Sequence, residues 1–168
     1  MSQAPGFRIA AATPADVPAV LSMIQALAAF EKLSHLCVAT VDSLQAALFG
    51  PAPGVEVVVG WEARAPVAFA LFFHNFSTFL GRKGLYLEDL FVQPAYRGRG
   101  YGQALLIHLA GLAVARGCGR FDWAVLDWNT AAIGFYESLG ATLLPDWRIS
   151  RVTGAALTRL AERPATGR

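Results

Sequence analysis

The stretch "VQPAYRGRGYGQALL", from Val92 to Leu106, places three glycines and two arginines just ahead of an apolar run. Pro94 should end the strand that leads into it, because proline lacks an N–H and restricts the residue before it. A helix is expected from Gly102 to about Arg116, with Leu105, Leu106, Leu109, Leu112 and Ala113 at helical spacing. The first N–H groups of a helix have no internal partner and stand at the positive end of its dipole, so they attract anions. Gly98, Gly100 and Gly102 would let the backbone approach such an anion without a Cβ in the way, and Arg97 and Arg99 add charge at the rim. A solvent loop, a nucleic-acid patch and a phosphate cradle all fit this much. Two familiar cradles do not: no Lys-Ser/Thr pair follows the glycines, and the spacing is not that of a dinucleotide fingerprint.

The bulk composition narrows the choice. The chain has 168 residues, of which 55% are hydrophobic and only 15% charged, which suits one domain, residues 1–168, around a single core, with a tail frayed from about residue 161. A formal net charge of +2 gives no global reason to expect nucleic acid or a membrane surface as partner. Cys37 and Cys118 lie far apart in no metal-like spacing, so free thiols are expected. His35, His74 and His108 share no ligand spacing with them or with each other, and no metal is expected. The start, "MSQAPGFRIAAATPADVP", has no basic segment followed by an apolar run, and no apolar stretch reaches membrane-spanning length. A cytoplasmic protein is expected.

Outward from the glycines, the elements read as β-α-α-β-β-β-α-β-α-β. "FRIAAAT" is a first strand. Thr13, Pro14 and Asp16 then supply a cap, a first helical proline and a reciprocal acid for a helix running to about Phe30. "TVDSLQAALFG" is a second helix stopped by Gly50. "VEVVVGWEARAPVAFALFFHNF" is a hairpin turning at "ARAP", and "GLYLEDLFV" is the strand that feeds the glycines. Beyond them, "RFDWAVLDWN" reads as a strand, "TAAIGFYESLG" as a helix closed by Gly140, and the remainder as one or two final strands. The fold class is α/β (α+β), with antiparallel hairpins first and a strand–helix–strand crossover later.

Strand "YLEDLFV", Pro94 and then Arg97-Gly98-Arg99-Gly100-Tyr101-Gly102 opening a helix resemble motif A of the GCN5-related N-acetyltransferase (GNAT) superfamily. Its Arg/Gln-x-x-Gly-x-Gly/Ala pattern falls on Arg97, Gly100 and Gly102. "WNTAAIGFYESLGA" resembles the family's later Asn…Phe-Tyr…Gly-Ala motif, and "IAAATPADVPAVLSMIQALAAFEKL" its first strand and helix. The likeness reaches to about Thr158 and is greatest to the diamine (spermidine/spermine) and thialysine acetyltransferase branch. It implies a single mixed, twisted sheet with splayed central strands flanked by about four helices.

The resemblance also implies a chemistry. Acetyl-CoA would lie in the split, its pyrophosphate on the N–H groups of Gly98 to Gly102 and on Gln103, with Arg97, Arg99 and Tyr101 alongside. Leu90, Phe91 and Val92 would pair with the pantetheine arm like an added strand, and Asn129 and the residues to Ala132 would complete the cofactor side. The Val92 N–H would stabilise the thioester oxyanion. Tyr136, a phenol of ordinary pKa near 10, would return a proton to the departing thiolate. Glu88 would hold the acceptor amine and take its proton. Asp89, its neighbour on a strand, would point to the opposite face. Phe30, Glu31, Asp122, Trp123 and Ala124 would line the acceptor side.

Some positions depart from that branch. Phe30 stands where it has Tyr, Asp122 where it has His, Leu139 where a basic residue touches the cofactor, and the acidic pair before the last strand shrinks to Asp146. Fewer acids disfavour long polyamines, leaving a short diamine or an amino acid with a side-chain amine such as thialysine. The expectation is a homodimeric acetyl-CoA-dependent N-acetyltransferase of a small primary amine. The alternatives are acetylation of proteins or peptides, and a non-catalytic acyl-CoA-binding module.

Overall fold

A computed structural model describes residues 6–164, so the ends of the expected frayed tail and the first five residues lie outside the described range. The contacts fall into two compact units, Met1–Ala124 and Val125–Arg168.

The first unit holds β1 (Phe7–Ala11), α1 (Val17–Phe30), α2 (Val41–Phe49), β2 (Glu56–Glu62), β3 (Ala65–Ser77), β4 (Arg82–Val92), α3 (Tyr101–Ala115) and β5 (Phe121–Trp123). The strands form a five-stranded sheet in the order β1-β2-β3-β4-β5. The first four are antiparallel, and β5 joins β4 in parallel after the α3 crossover. The helix starts follow from local chemistry. Both the N–H and the Oγ1 of Thr13 donate to Asp16 Oδ2 at 2.8 Å, bracing the turn that opens α1. At α2 the Thr40 N–H donates to Ser43 Oγ, and the Ser43 N–H donates back to Thr40 Oγ1.

Each face of the sheet is covered. Val17, Val20 and Met23 of α1 and Leu48 of α2 pack with Val57, Val59, Phe69, Leu71 and Phe91. On the other face Tyr101 of α3 stacks flat on Phe7, ring centroids 3.9 Å apart, beside Val67, Ile9, Val92 and Ala104. Phe69 and Val59 are wholly buried in the first of these layers. Burial of such side chains contributes roughly 1.5–3 kcal/mol each.

Two irregularities set β4 apart from its neighbours. The β3–β4 ladder pairs Leu71 with Asp89 and then Phe72 with Leu87, so Glu88 is an extra residue that the ladder skips. The parallel ladder between β4 and β5 runs only from Leu85↔Phe121 to Leu87↔Trp123. Beyond Leu87, β4 therefore continues for five residues with no partner in β5.

The second unit holds α4 (Thr130–Ser138) and α5 (Gly154–Ala161). Gly140 takes φ 91°, and the Ala141 N–H donates to Tyr136 O at 3.1 Å, closing α4 where the sequence places its stop. The final strands expected from the sequence do not form among the described residues. Pro145 breaks the stretch, Asp146, Arg148 and Arg151 give it no apolar alternation, and regular structure resumes only at α5. The expected strand "RFDWAVLDWN" likewise shortens to β5, because the chain turns at Asp127 and Trp128. No helix among the described residues is long and apolar enough to cross a membrane.

Candidate active site

The end of β4 is where the geometry becomes unusual. The Gln93 N–H donates to Val67 O at 2.9 Å, which makes the odd-numbered partners, Phe91 with Phe69 and Asp89 with Leu71, the hydrogen-bonded pairs. The main-chain groups of Leu90 and Val92 must then point away from β3. They face the side where the β5 ladder has already stopped, and among the described residues no ladder pairs with them. Val92 O is taken by the Arg97 side chain, whose Nε donates to it at 2.9 Å. The Val92 N–H and both groups of Leu90 are left on that edge.

Directly after it, Pro94–Tyr96 make one tight turn and the glycines begin. Gly98 takes φ 75° and Gly100 φ 80°, a left-handed conformation that glycine adopts at little cost. Built Cβ atoms at both would meet nothing within 4 Å, so the loop borders open space. Gly100 caps α3 and has no side chain to satisfy the first N–H groups of the helix, while its carbonyl accepts the first helical bond from the Ala104 N–H at 2.9 Å. The N–H groups of Tyr101, Gly102 and Gln103 precede that bond and have no intrahelical acceptor. Tyr101 offers only its main chain here, since its ring is in the core.

The arginines are engaged rather than loose at the rim. Arg97 spreads its guanidinium 5.1 Å from the Phe30 ring centre and 5.5 Å from that of Phe91, joining the end of α1 to the end of β4. Arg99 binds Glu62 at the end of β2 through both carboxylate oxygens, at 3.0 and 3.1 Å, and donates to Ala95 O at 3.3 Å.

The acids gather beside the bulge. Strict alternation between Glu88 and Asp89 does not hold, because the ladder skips Glu88. Asp89 sits opposite Leu71, on the face covered by α1 and α2. Burial pushes its carboxyl up to about 6, and the nearby charges of Glu88 and Glu31 push the same way. Glu31, which caps the end of α1, is also raised by burial. Glu88 itself is exposed. Phe30, Glu31, Glu88 and Asp89 thus share one neighbourhood.

Asp122 stands one strand away, in register with Tyr86. The Tyr86 hydroxyl is raised by burial, then by the charges of Glu88 and Asp122. Trp123 stacks at a tilt on Phe121, centroids 4.9 Å apart, and Ala124 closes the unit. Tyr86, Asn75 and Arg120 escaped the sequence reading. A signal existed for the last: Arg120 and Asp122 are two apart in a strand-like run, which places both side chains on one face.

In the second unit Asn129 caps α4, its Oδ1 accepting from the Ala132 N–H at 3.2 Å. Tyr136 follows two turns later, half-buried, its ring 5.4 Å from that of Phe135.

Residues 24–141 match the model of the acetyltransferase (GNAT) family. A thialysine N-epsilon-acetyltransferase of Mus musculus is 38% identical over 167 residues, covering 93% of this chain and 98% of its own length. An L-ornithine N5-acetyltransferase of Arabidopsis thaliana is 35% identical over 195 residues, covering 89% of this chain and 86% of its own. Among solved structures, an integron cassette protein from the mobile metagenome of V. cholerae superposes with a TM-score of 0.79 at 27% identity, covering 94% of this chain and 99% of that one.

Proposed function

The chain belongs to the acetyltransferase (GNAT) family, and on that premise we propose that it moves the acetyl group of acetyl-CoA to the primary amine of a small molecule, by direct attack with both substrates bound. One observation carries this: the unpaired edge of Leu90 and Val92 runs straight into an uncapped, glycine-lined helix start. An extended thioester arm can add to such an edge as a strand, and its pyrophosphate suits the N–H groups from Gly98 to Gln103.

In this proposal the Val92 N–H faces the thioester carbonyl and steadies the negative charge that grows there. Asn129 and Ala132 complete the cofactor side. Glu88, exposed at the bulge, holds the ammonium of the acceptor and receives its proton, with Glu31 and Asp89 adding negative potential behind it. Tyr136 returns a proton to the leaving sulfur. Phe30, Asp122, Trp123 and Ala124 shape the acceptor side, and residues 1–168 work as a single domain. The thialysine and ornithine enzymes among the relatives support a small amine as acceptor.

We propose further that the protein is a cytoplasmic homodimer. Cys37 and Cys118 are unbonded thiols, as a reducing compartment keeps them. The tip of the β3–β4 hairpin exposes Phe76, Phe79 and Leu80, an apolar patch suited to a partner copy.

The test is release of free CoA from acetyl-CoA across a panel of diamines, polyamines, ornithine, thialysine and lysine. Turnover above background supports the proposal. CoA binding by titration calorimetry with no turnover on any amine makes the chain a non-catalytic acyl-CoA binder, and turnover on peptides alone moves the acceptor to proteins.

A further inference from the structure

Phe7 and Glu62 face each other across the β1–β2 ladder, so their side chains stand together on the face that carries α3. The Phe7 ring lies flat on that of Tyr101, and Glu62 holds Arg99. Arg99 and Tyr101 are the two neighbours of Gly100, the left-handed residue that caps α3. One cross-strand pair therefore grips the glycine turn on both sides of its cap.

The two grips differ in kind. The aromatic one is buried, and Gly60 on β2 makes room for it, since a Cβ there would collide with the Phe7 ring. It sets where α3 begins. The polar one stands in solvent, with about half of the Arg99 side chain and a third of that of Glu62 exposed. Arg99 Nη1 donates to both carboxylate oxygens and Nη2 to Ala95 O, while the guanidinium lies 5.2 Å from the centre of the Tyr96 ring. An ion pair this exposed contributes little to folding. Its position gives it a different use. Gly98 and Gly100 bring no side chain to anchor the turn, and glycine loses more freedom on ordering than any other residue. Arg99 is the only side chain between them.

We infer that Glu62 is a positioning residue for the acetyl donor: through Arg99 it holds the main chain of residues 98–102 in its anion-binding shape before the diphosphate arrives. This rests on the acetyl-CoA-dependent function proposed above. A cradle formed only part of the time binds more weakly, in proportion to the fraction of time that it is formed. The inference fixes a sign. Glu62 is an acid close to an anion site, so if it acted by charge alone, its removal would strengthen donor binding. Removal of a tether weakens it.

The test titrates CoA calorimetrically into the wild-type protein and Glu62→Gln. The expected result is a Kd higher by roughly threefold to fivefold, the scale of one exposed ion pair. On an amine that the wild-type protein accepts, KM for acetyl-CoA should rise by the same factor, while kcat and the KM for the amine hold. In an Arg99→Gln background, Glu62→Gln should add nothing, because both changes break one contact. An unchanged or lower Kd in Glu62→Gln overturns the inference. So do additive losses in the double variant, which would mean that Glu62 acts other than through Arg99, and so does a fall in kcat with both KM values disturbed, the mark of general structural damage. A wild-type protein that binds CoA but turns over no amine overturns the acetyltransferase proposal, and the Kd comparison still decides the role of Glu62. Failure of the wild-type protein to bind CoA overturns both.

Discussion

Arg97 donates from Nε to the carbonyl oxygen of Val92 at 2.9 Å, so the first residue of the glycine motif is bonded to the last residue of the strand before it. The same guanidinium lies against Phe30 and Phe91. One side chain therefore ties the turn at Pro94 to the end of α1 and the end of β4.

Removing that contact should loosen the loop without opening the core. Arg97→Ala is expected to raise KM for acetyl-CoA about tenfold and to lower stability by about 1 kcal/mol, the range for an exposed charge-assisted bond and cation–π contact. Initial-rate kinetics and urea unfolding check the two numbers separately. An unchanged KM would detach the arginine from the cofactor side.

Two glycines near the same helix should respond in opposite directions. Gly100 holds φ 80° with open space around a Cβ, so Gly100→Ala meets only the backbone penalty of a left-handed residue, about 1–2 kcal/mol. Gly111 sits inside α3, also with open space, and Gly111→Ala should stabilise by about 0.5–1 kcal/mol. Thermal melts of the two variants decide this, and the same sign for both would contradict it.

Asp89 should leave a mark on stability as a function of pH. Its carboxyl is raised from 3.8 to about 6, first by burial and then by Glu88 and Glu31. Between about pH 4 and 6 the folded protein thus holds a proton that the unfolded chain has released, so stability falls as pH rises through that window and stays lower above it. Asp89→Asn should flatten this slope and raise stability at pH 7 by about 2 kcal/mol. Unfolding curves from pH 4 to pH 8 test it, and a variant less stable than wild type at pH 7 would show that the ionised acid has a partner that holds it.

Glu88, skipped by the ladder and exposed, should behave differently from its neighbour. Glu88→Gln is expected to lower kcat/KM for the amine by about a hundredfold, the low end for a proton-transfer group, with melting unchanged within error. A variant of full activity would move the proton acceptor elsewhere.

For Tyr136→Phe the expected loss lies in kcat, about a hundredfold, with acetyl-CoA affinity held near the wild-type value. Calorimetric titration beside steady-state rates separates the two. Wild-type turnover in this variant would remove the phenol from the chemistry.

Where the sequence carried local chemistry, the structure could be read from it. Thr13 with Asp16, Thr40 with Gly50, and Gly140 after Leu139 each mark a boundary that residues alone determine, and α1 ends at Phe30 as expected. The glycine loop was legible for the same reason, since positive φ has few other tenants. Features that depend on pairing were not. The bulge at Glu88 is set by the register of β4 against β3, and nothing in "YLEDLFV" reveals that one residue will be skipped. Asn75 and Asp122 are 47 residues apart, and only the sheet brings them together. The expected final strands failed because a strand takes its stability from a neighbour that its own sequence does not name.

The open edge of β4 also bears on how the protein survives without its donor. An unpaired row of main-chain groups can take up an extended chain, including a segment of another copy caught while folding. Acetyl-CoA, by occupying that edge, would act as a guard against misassociation as well as a reactant. The apo protein should therefore precipitate on heating at a lower temperature and in a more concentration-dependent way than the CoA-bound form, quite apart from the stabilisation that any bound ligand confers.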